Sequence, residues 1–224
     1  MKRPSHIVSK KVLPAVILGI LIWLIVFLFT PTYTKLSLTI VVIILYFALW
    51  IASALLANRK QTLYSFITYL FACFVTGLLT SPIVGWLMTL PRINDVIAHG
   101  IIAVSLLGAA VGVGLGAYFG WLKRDKILSH KEFNWFLIVF GIGIILTELI
   151  GVIILGYSSL FFWTSIAVVV LMLFFSVYDG AALRLIVEED PDLWMVAVIN
   201  FFLDFINIAI RLIYILAEAY SKRS

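Results

Sequence analysis

The chain has 224 residues, 64% of them hydrophobic and 12% charged, and its mean hydropathy is +1.17. Soluble domains carry about 25% charged residues, so a water-soluble fold is excluded and an all-α integral membrane protein is expected. The formal charge of +5 lies mostly in short connections between apolar runs, where it reports topology and not nucleic-acid binding.

A spanning helix needs roughly 20 apolar residues. Seven such runs follow in chain order, at residues 12–30, 37–57, 63–88, 96–122, 133–156, 159–188 and 192–217. They predict a single seven-helix transmembrane domain over residues 1–224, with no soluble domain. The first run follows Lys2, Arg3, Lys10 and Lys11, as the core of a signal peptide would. Its length exceeds the usual ~7–15 residues and no small-x-small cleavage site follows, so it reads as a retained first span. Pro31, Pro91 and Pro191 punctuate three connections, and Asp190-Pro191 reads as an N-cap followed by the first residue of the last helix.

Basic residues set the orientation. Eleven Lys and Arg fall at the N-terminus and in connections 2–3, 4–5 and 6–7, against Lys35 and Arg92 on the other side. The positive-inside rule places the N-terminus in the cytoplasm. Seven spans then put the C-terminus outside, a placement that Lys222 and Arg223 oppose. Cys73 is the single cysteine, so no intramolecular disulfide forms. His6, His99 and His130 are scattered and build no metal cluster, so no cofactor is expected.

The fourth run carries Gly108, Gly112, Gly116 and Gly120, one every four residues. Such a ridge lets helix backbones approach closely where lipid supplies no hydrophobic drive. It serves either packing within one chain or a homo-oligomer seam. His99 follows Asp95 by four residues near the start of this run, an ordinary pair on one helix face.

Charged residues inside the apolar runs carry the functional signal. Asp179 stands in run six and Asp204 in run seven. A carboxylate at membrane depth costs about 2.5–3.5 kcal/mol on insertion scales and is tolerated where it faces a bundle interior or a wet cavity. At 1.5 Å per residue, Asp179 lies about 13–14 Å and Asp204 about 19–20 Å from the same side. Consecutive antiparallel helices are neighbours, so the two carboxyls can meet. Two carboxylates in a dry site cannot both ionise cheaply, and one proton is shared between them. Asn200, Asp204, Asn207 and Arg211 step by four, three and four, giving run seven one polar face that reads as a cavity lining. Glu148 is a third intramembrane acid, a second cation ligand or a structural hydrogen-bonding group.

Enzyme chemistry finds no footing. No Gly-x-Ser-Gly motif accompanies His99, run seven holds no lysine for a Schiff base, and no Gly-rich phosphate loop adjoins a strand.

Four stretches carry a resemblance. They are Thr76-Gly77-Leu78-Leu79-Thr80-Ser81-Pro82-Ile83, then Gly116-Ala117-Tyr118-Phe119 with Lys123-Arg124-Asp125, then Tyr178-Asp179, and last Leu203-Asp204-Phe205-Ile206-Asn207 with Arg211. In this order and spacing the chain resembles the transmembrane Bax inhibitor motif family, close to its bacterial and archaeal members, over nearly its whole length. The resemblance implies a seven-helix bundle with the last helix central, and a pH-sensitive calcium leak in which Asp179 and Asp204 form the proton-sharing sensor. It also implies that Arg59, at the end of run two, latches to these aspartates. The sequence departs from the family pattern in lacking an acid in run two and in carrying Glu148.

The expectation is therefore a passive Ca²⁺ leak in a prokaryotic plasma membrane, opened as the Asp179–Asp204 pair loses its proton. Ca²⁺ favours oxygen ligands, and these carboxylates are the oxygens that a passing ion would meet. Ca²⁺/H⁺ exchange is a variant driven by a proton gradient. The reading from a different class is a non-transporting membrane regulator that acts through helix–helix contacts.

Overall fold

The computed structural model describes residues 4–30, 36–129, 131–147 and 158–222. Every regular element among them is helical. A turn at Pro4–Ile7 and a π-helical turn at Val8–Val12 lead into α1 (Leu13–Phe29). There follow α2 (Leu36–Asn58), α3 (Thr62–Thr80), α4 (Pro82–Thr89), α5 (Asp95–Leu122) and the short α6 (Arg124–Ser129). Then come α7 (Lys131–Thr147), α8 (Ser158–Glu189), a 3₁₀ turn at Pro191–Leu193 and α9 (Trp194–Ser221).

Among the described residues, six helical segments are long and apolar enough to cross a membrane: Val8–Phe29, Thr39–Asn58, Thr62–Thr89, Asp95–Leu122, Leu160–Glu189 and Pro191–Ser221. The fifth predicted span is represented by α7, and residues 148–157, its expected continuation, lie outside the described residues. The spans expose large apolar side chains, such as Ile44, Phe47, Ile51 and Leu55 on α2 and Val104, Leu107, Val111 and Leu115 on α5. In water this would be an aggregating surface. In a bilayer it is the face presented to acyl chains.

Local chemistry explains the breaks. Pro82 has no N–H to donate back, so α3 stops at Thr80 and α4 begins with Pro82 in its first position. The 3₁₀ turn likewise starts at Pro191, but the Asp190 side chain makes no capping bond to it and pairs with Lys60 instead. Asn94 caps α5, its side-chain oxygen accepting from Ile97 N at 3.0 Å. His99 Nδ1 contacts the Asp95 carbonyl oxygen at 2.6 Å, so the contact runs to the backbone.

The chain divides into two compact units, Met1–Thr89 with Leu183–Phe202, and Leu90–Ala182 with Leu203–Ser224. In the first, polar side chains tie apolar helices together. Trp23 Nε1 donates to Thr80 Oγ1 at 3.0 Å, Trp50 Nε1 to Thr76 Oγ1 at 3.2 Å, and the Tyr69 hydroxyl to Ala15 O at 3.1 Å. Ser53 and Ser65 each donate to the other's carbonyl, at 3.1 and 3.0 Å. Trp50 also stacks on Phe202, with ring centroids 5.4 Å apart.

In the second unit the contacts are barer. A Cβ added at Gly120 would overlap the Val177 carbonyl and lie 2.9 Å from Ala181 N. One at Gly180 would overlap the Ala117 backbone. One at Gly112 would lie 2.8 Å from Leu173 Cδ2, and one at Gly108 would lie 3.1 Å from Leu212 Cδ1. The glycine ridge of α5 is thus occupied by α8 and α9 of the same chain. On another side of α8, Leu137 and Ile144 of α7 pack with Val168 and Leu171.

Candidate functional site

The close approach of α5 to α8 fixes the surroundings of Asp179. Gly116 leaves room for Ser176, whose Cβ would stand 3.0 Å from any Cβ at that position. Ser176 and Asp179 are three residues apart and share one face of α8. Both reach Asp204 on α9. Ser176 Oγ donates to Asp204 Oδ2 at 2.8 Å, and Asp204 and Asp179 are joined by a side-chain hydrogen bond. All three residues are buried, with Asp179 6% and Asp204 5% exposed. The two aspartates singled out in the sequence are therefore in direct contact.

That contact has a chemical consequence. A hydrogen bond between two carboxyls needs a proton on one of them, since ionised carboxylates only accept. Burial penalises the charged forms, and two negative charges at this separation repel strongly. Two buried carboxyls in contact are the arrangement in which one proton can be shared.

The other predicted residues fall at different places. Asn207 Nδ2 donates to Leu203 O of its own helix at 2.8 Å, a local bond. Asn200 is half-buried on α9. Arg211, also half-buried, is held from α8: Nη1 donates to Ser165 Oγ at 3.3 Å and the guanidinium lies 4.8 Å from the centre of the Phe161 ring. Arg59 stands exposed just past the end of α2. The ion pair from that turn belongs to Lys60, whose Nζ is 2.8 Å from Asp190 Oδ2. The hydrogen bond and charge of Asp190 hold the Lys60 ammonium above the usual lysine value. Glu148 lies outside the described residues. Among the described residues no group of three or more His, Cys, Asp or Glu side chains converges as a metal site would.

Two features escaped the sequence reading. Ser176 gave only the signal of a small polar residue one turn before Asp179. Lys60, next to Arg59, gave none that separated it from its neighbour.

A family model described as inhibitor of apoptosis-promoting Bax1 matches residues 4–221, nearly the whole chain. No curated protein matches.

Proposed function

The chain belongs to the Bax inhibitor-like transmembrane family, and on that premise we propose that it is a pH-sensitive calcium leak gated by the Asp179–Asp204 pair. One observation carries this reading: two buried carboxyls, on consecutive membrane-crossing helices, hydrogen-bonded to each other. With a proton between them the carboxyls tie α8 to α9. Without it, two like charges repel across a low-dielectric gap, and the helices part. The freed oxygens then suit a hard divalent ion in transit.

The wider architecture in this reading is a seven-span bundle, with α7 and the residues after it as the fifth span. Support for a central last helix comes from burial. The most apolar stretch of the last segment is 61% buried, against 22–44% for the other five. Asn200, Asn207 and Arg211 line the cation path on that helix, Glu148 adds an acid to it, and Arg59 is the latch. The N-terminus faces the cytoplasm of a prokaryotic cell, as the basic connections favour. Homo-oligomerisation through the glycine face of α5 is disfavoured, because α8 and α9 already fill it. The same filling weighs against a regulator that works through that face.

Calcium flux into dye-loaded proteoliposomes tests the leak, in mildly acid and mildly alkaline buffer, with Asp204→Asn and Asp179→Asn as comparisons. Flux rises with pH in the unsubstituted protein and loses its pH response in both variants. Flux driven only by an imposed proton gradient would move the reading to exchange. Flux absent at every pH would sink transport altogether.

A further inference from the structure

We infer that Ser176 is the positioning residue of the carboxyl pair, gripping Asp204 by Oδ2 so that the same carboxyl is presented to Asp179. The role rests on the reading of that pair as the gate. The geometry stands by itself. Ser176 is completely buried and its Oγ lies 2.8 Å from Asp204 Oδ2. A second acceptor, Met172 O of its own helix, lies 2.9 Å from the same oxygen. A hydroxyl carries one proton and donates it to one acceptor at a time.

The proton therefore has two settings. Directed at Asp204, it joins Asp179 in a two-point hold from α8 on a single carboxyl of α9. Directed at Met172 O, it is satisfied within α8, as helix serines commonly are, and the second tie between the helices opens. Gly116 brings α5 close against the Ser176 Cβ, which a side chain at that position would crowd at 3.0 Å.

Along the described helices the charged surroundings are sparse. Asp179 is the carboxyl facing Asp204 from α8. Along α5 there is no carboxylate, imidazole or amine between His99 and Lys123, and along α7 none between Phe133 and Thr147. On α9 itself Arg211 lies two turns beyond. Among the described residues, the side chains that hydrogen-bond the Asp204 carboxyl are Ser176 and Asp179.

The test uses the full chain in lipid and two readouts. The first is the infrared stretching band of the protonated carboxyl, assigned as the band lost in Asp204→Asn and Asp179→Asn. Losing a hydrogen bond stiffens the carbonyl, so Ser176→Ala moves the band to higher frequency. Ser176→Cys, whose thiol is a weaker donor, moves it less and keeps the test alive should the alanine variant not fold. The second readout is the ratio of calcium flux in alkaline to flux in acid buffer, which falls in Ser176→Ala. A band unmoved in both variants overturns the inference whatever the flux does. A leaking protein whose flux ratio is unchanged by Ser176→Ala overturns it as well. Flux absent from the unsubstituted protein, with the band moving as expected, overturns the leak reading and leaves Ser176 as the positioning residue.

Discussion

The two units solve one problem with the same two devices in different proportion. Lipid tails are as apolar as leucine, so helices in a bilayer need something other than hydrophobic burial to hold them together. The first unit relies mainly on side chains: three indole or phenol donors, a reciprocal serine pair, and an aromatic stack at Trp50 and Phe202, with one close backbone approach where a Cβ added at Gly77 would lie 2.9 Å from Trp23 O. The second uses the absence of side chains, laying the backbone of α5 on that of α8 at Gly116, Gly120 and Gly180. Long polar side chains adapt to small shifts, whereas backbone on backbone does not. The carboxyl pair sits in the unit that cannot adapt, where Ser176 and Asp179 keep their depth relative to Asp204.

The largest expected effect tests that rigidity. Gly120→Ala drives a methyl into the Val177 carbonyl. Overpacking against mobile side chains costs about 1–3 kcal/mol, and against backbone we expect the upper end or more. Gly114→Ala is the matched control, since nothing lies within 4 Å of its added carbon and alanine is the better helix former. Thermal unfolding in detergent separates the two, with Gly120→Ala melting well below Gly114→Ala. Equal melting temperatures would break the contrast between the units.

The side-chain mode predicts smaller, graded losses. Trp50→Phe keeps the ring on Phe202 but removes the donor to Thr76, which retains its own bond to Ala72 O at 2.7 Å. Hydrogen bonds between membrane helices average about 0.6 kcal/mol, with a maximum of about 1.7. Trp50→Phe and Ser53→Ala each belong in that range, measured by the same melts. A loss from Ser53→Ala as large as that from Gly120→Ala would mean that polar ties, and not close backbone approach, set the stability scale of this protein.

How much of this the sequence contained follows from what lipid enforces. Apolar run length is a strong constraint, and the predicted runs 63–88, 96–122 and 159–188 lie within one residue at each end of Thr62–Thr80 with Pro82–Thr89, Asp95–Leu122 and Ser158–Glu189. The cost of a buried carboxylate likewise made Asp179 and Asp204 visible, and their depths along antiparallel helices placed them within reach of each other. The glycine spacing announced a close approach but not the partner, because periodicity within α5 is silent about which helix fills it. Ser176 was hidden for a related reason. A helix serine bonds its own backbone by default, and reaching Asp204 depends on the vertical register of α8 against α9, which no local spacing encodes. Asp190 was read as a cap because of the proline after it, and its actual partner, Lys60, is 130 residues away in sequence.

The smallest expected effect concerns that turn, and it tests whether the first unit carries a rigid backbone feature there besides the close approach at Gly77. Lys60 N donates to Ala57 O at 2.9 Å and Gln61 N to Leu56 O at 3.0 Å, the paired bonds of a Schellman motif. Its left-handed position, normally glycine, is held by Lys60 at φ 59°. Lysine there accepts backbone strain and offers an ammonium to Asp190, and an exposed ion pair of this kind contributes little. Glycine relieves the strain and forgoes the pair, so Lys60→Gly raises the melting temperature slightly, while Lys60→Ala, which keeps the strain and loses the pair, lowers it. Because the ammonium is held above its usual value, the contribution of the pair is complete at neutral pH and fades only as pH rises through the lysine range. The difference between Lys60 and Lys60→Ala should therefore shrink in alkaline buffer, and also in high salt. If Lys60→Gly and Lys60→Ala fall together and both losses vanish in salt, the ion pair governs this turn, and side chains hold the end of the first unit as they hold most of its interior.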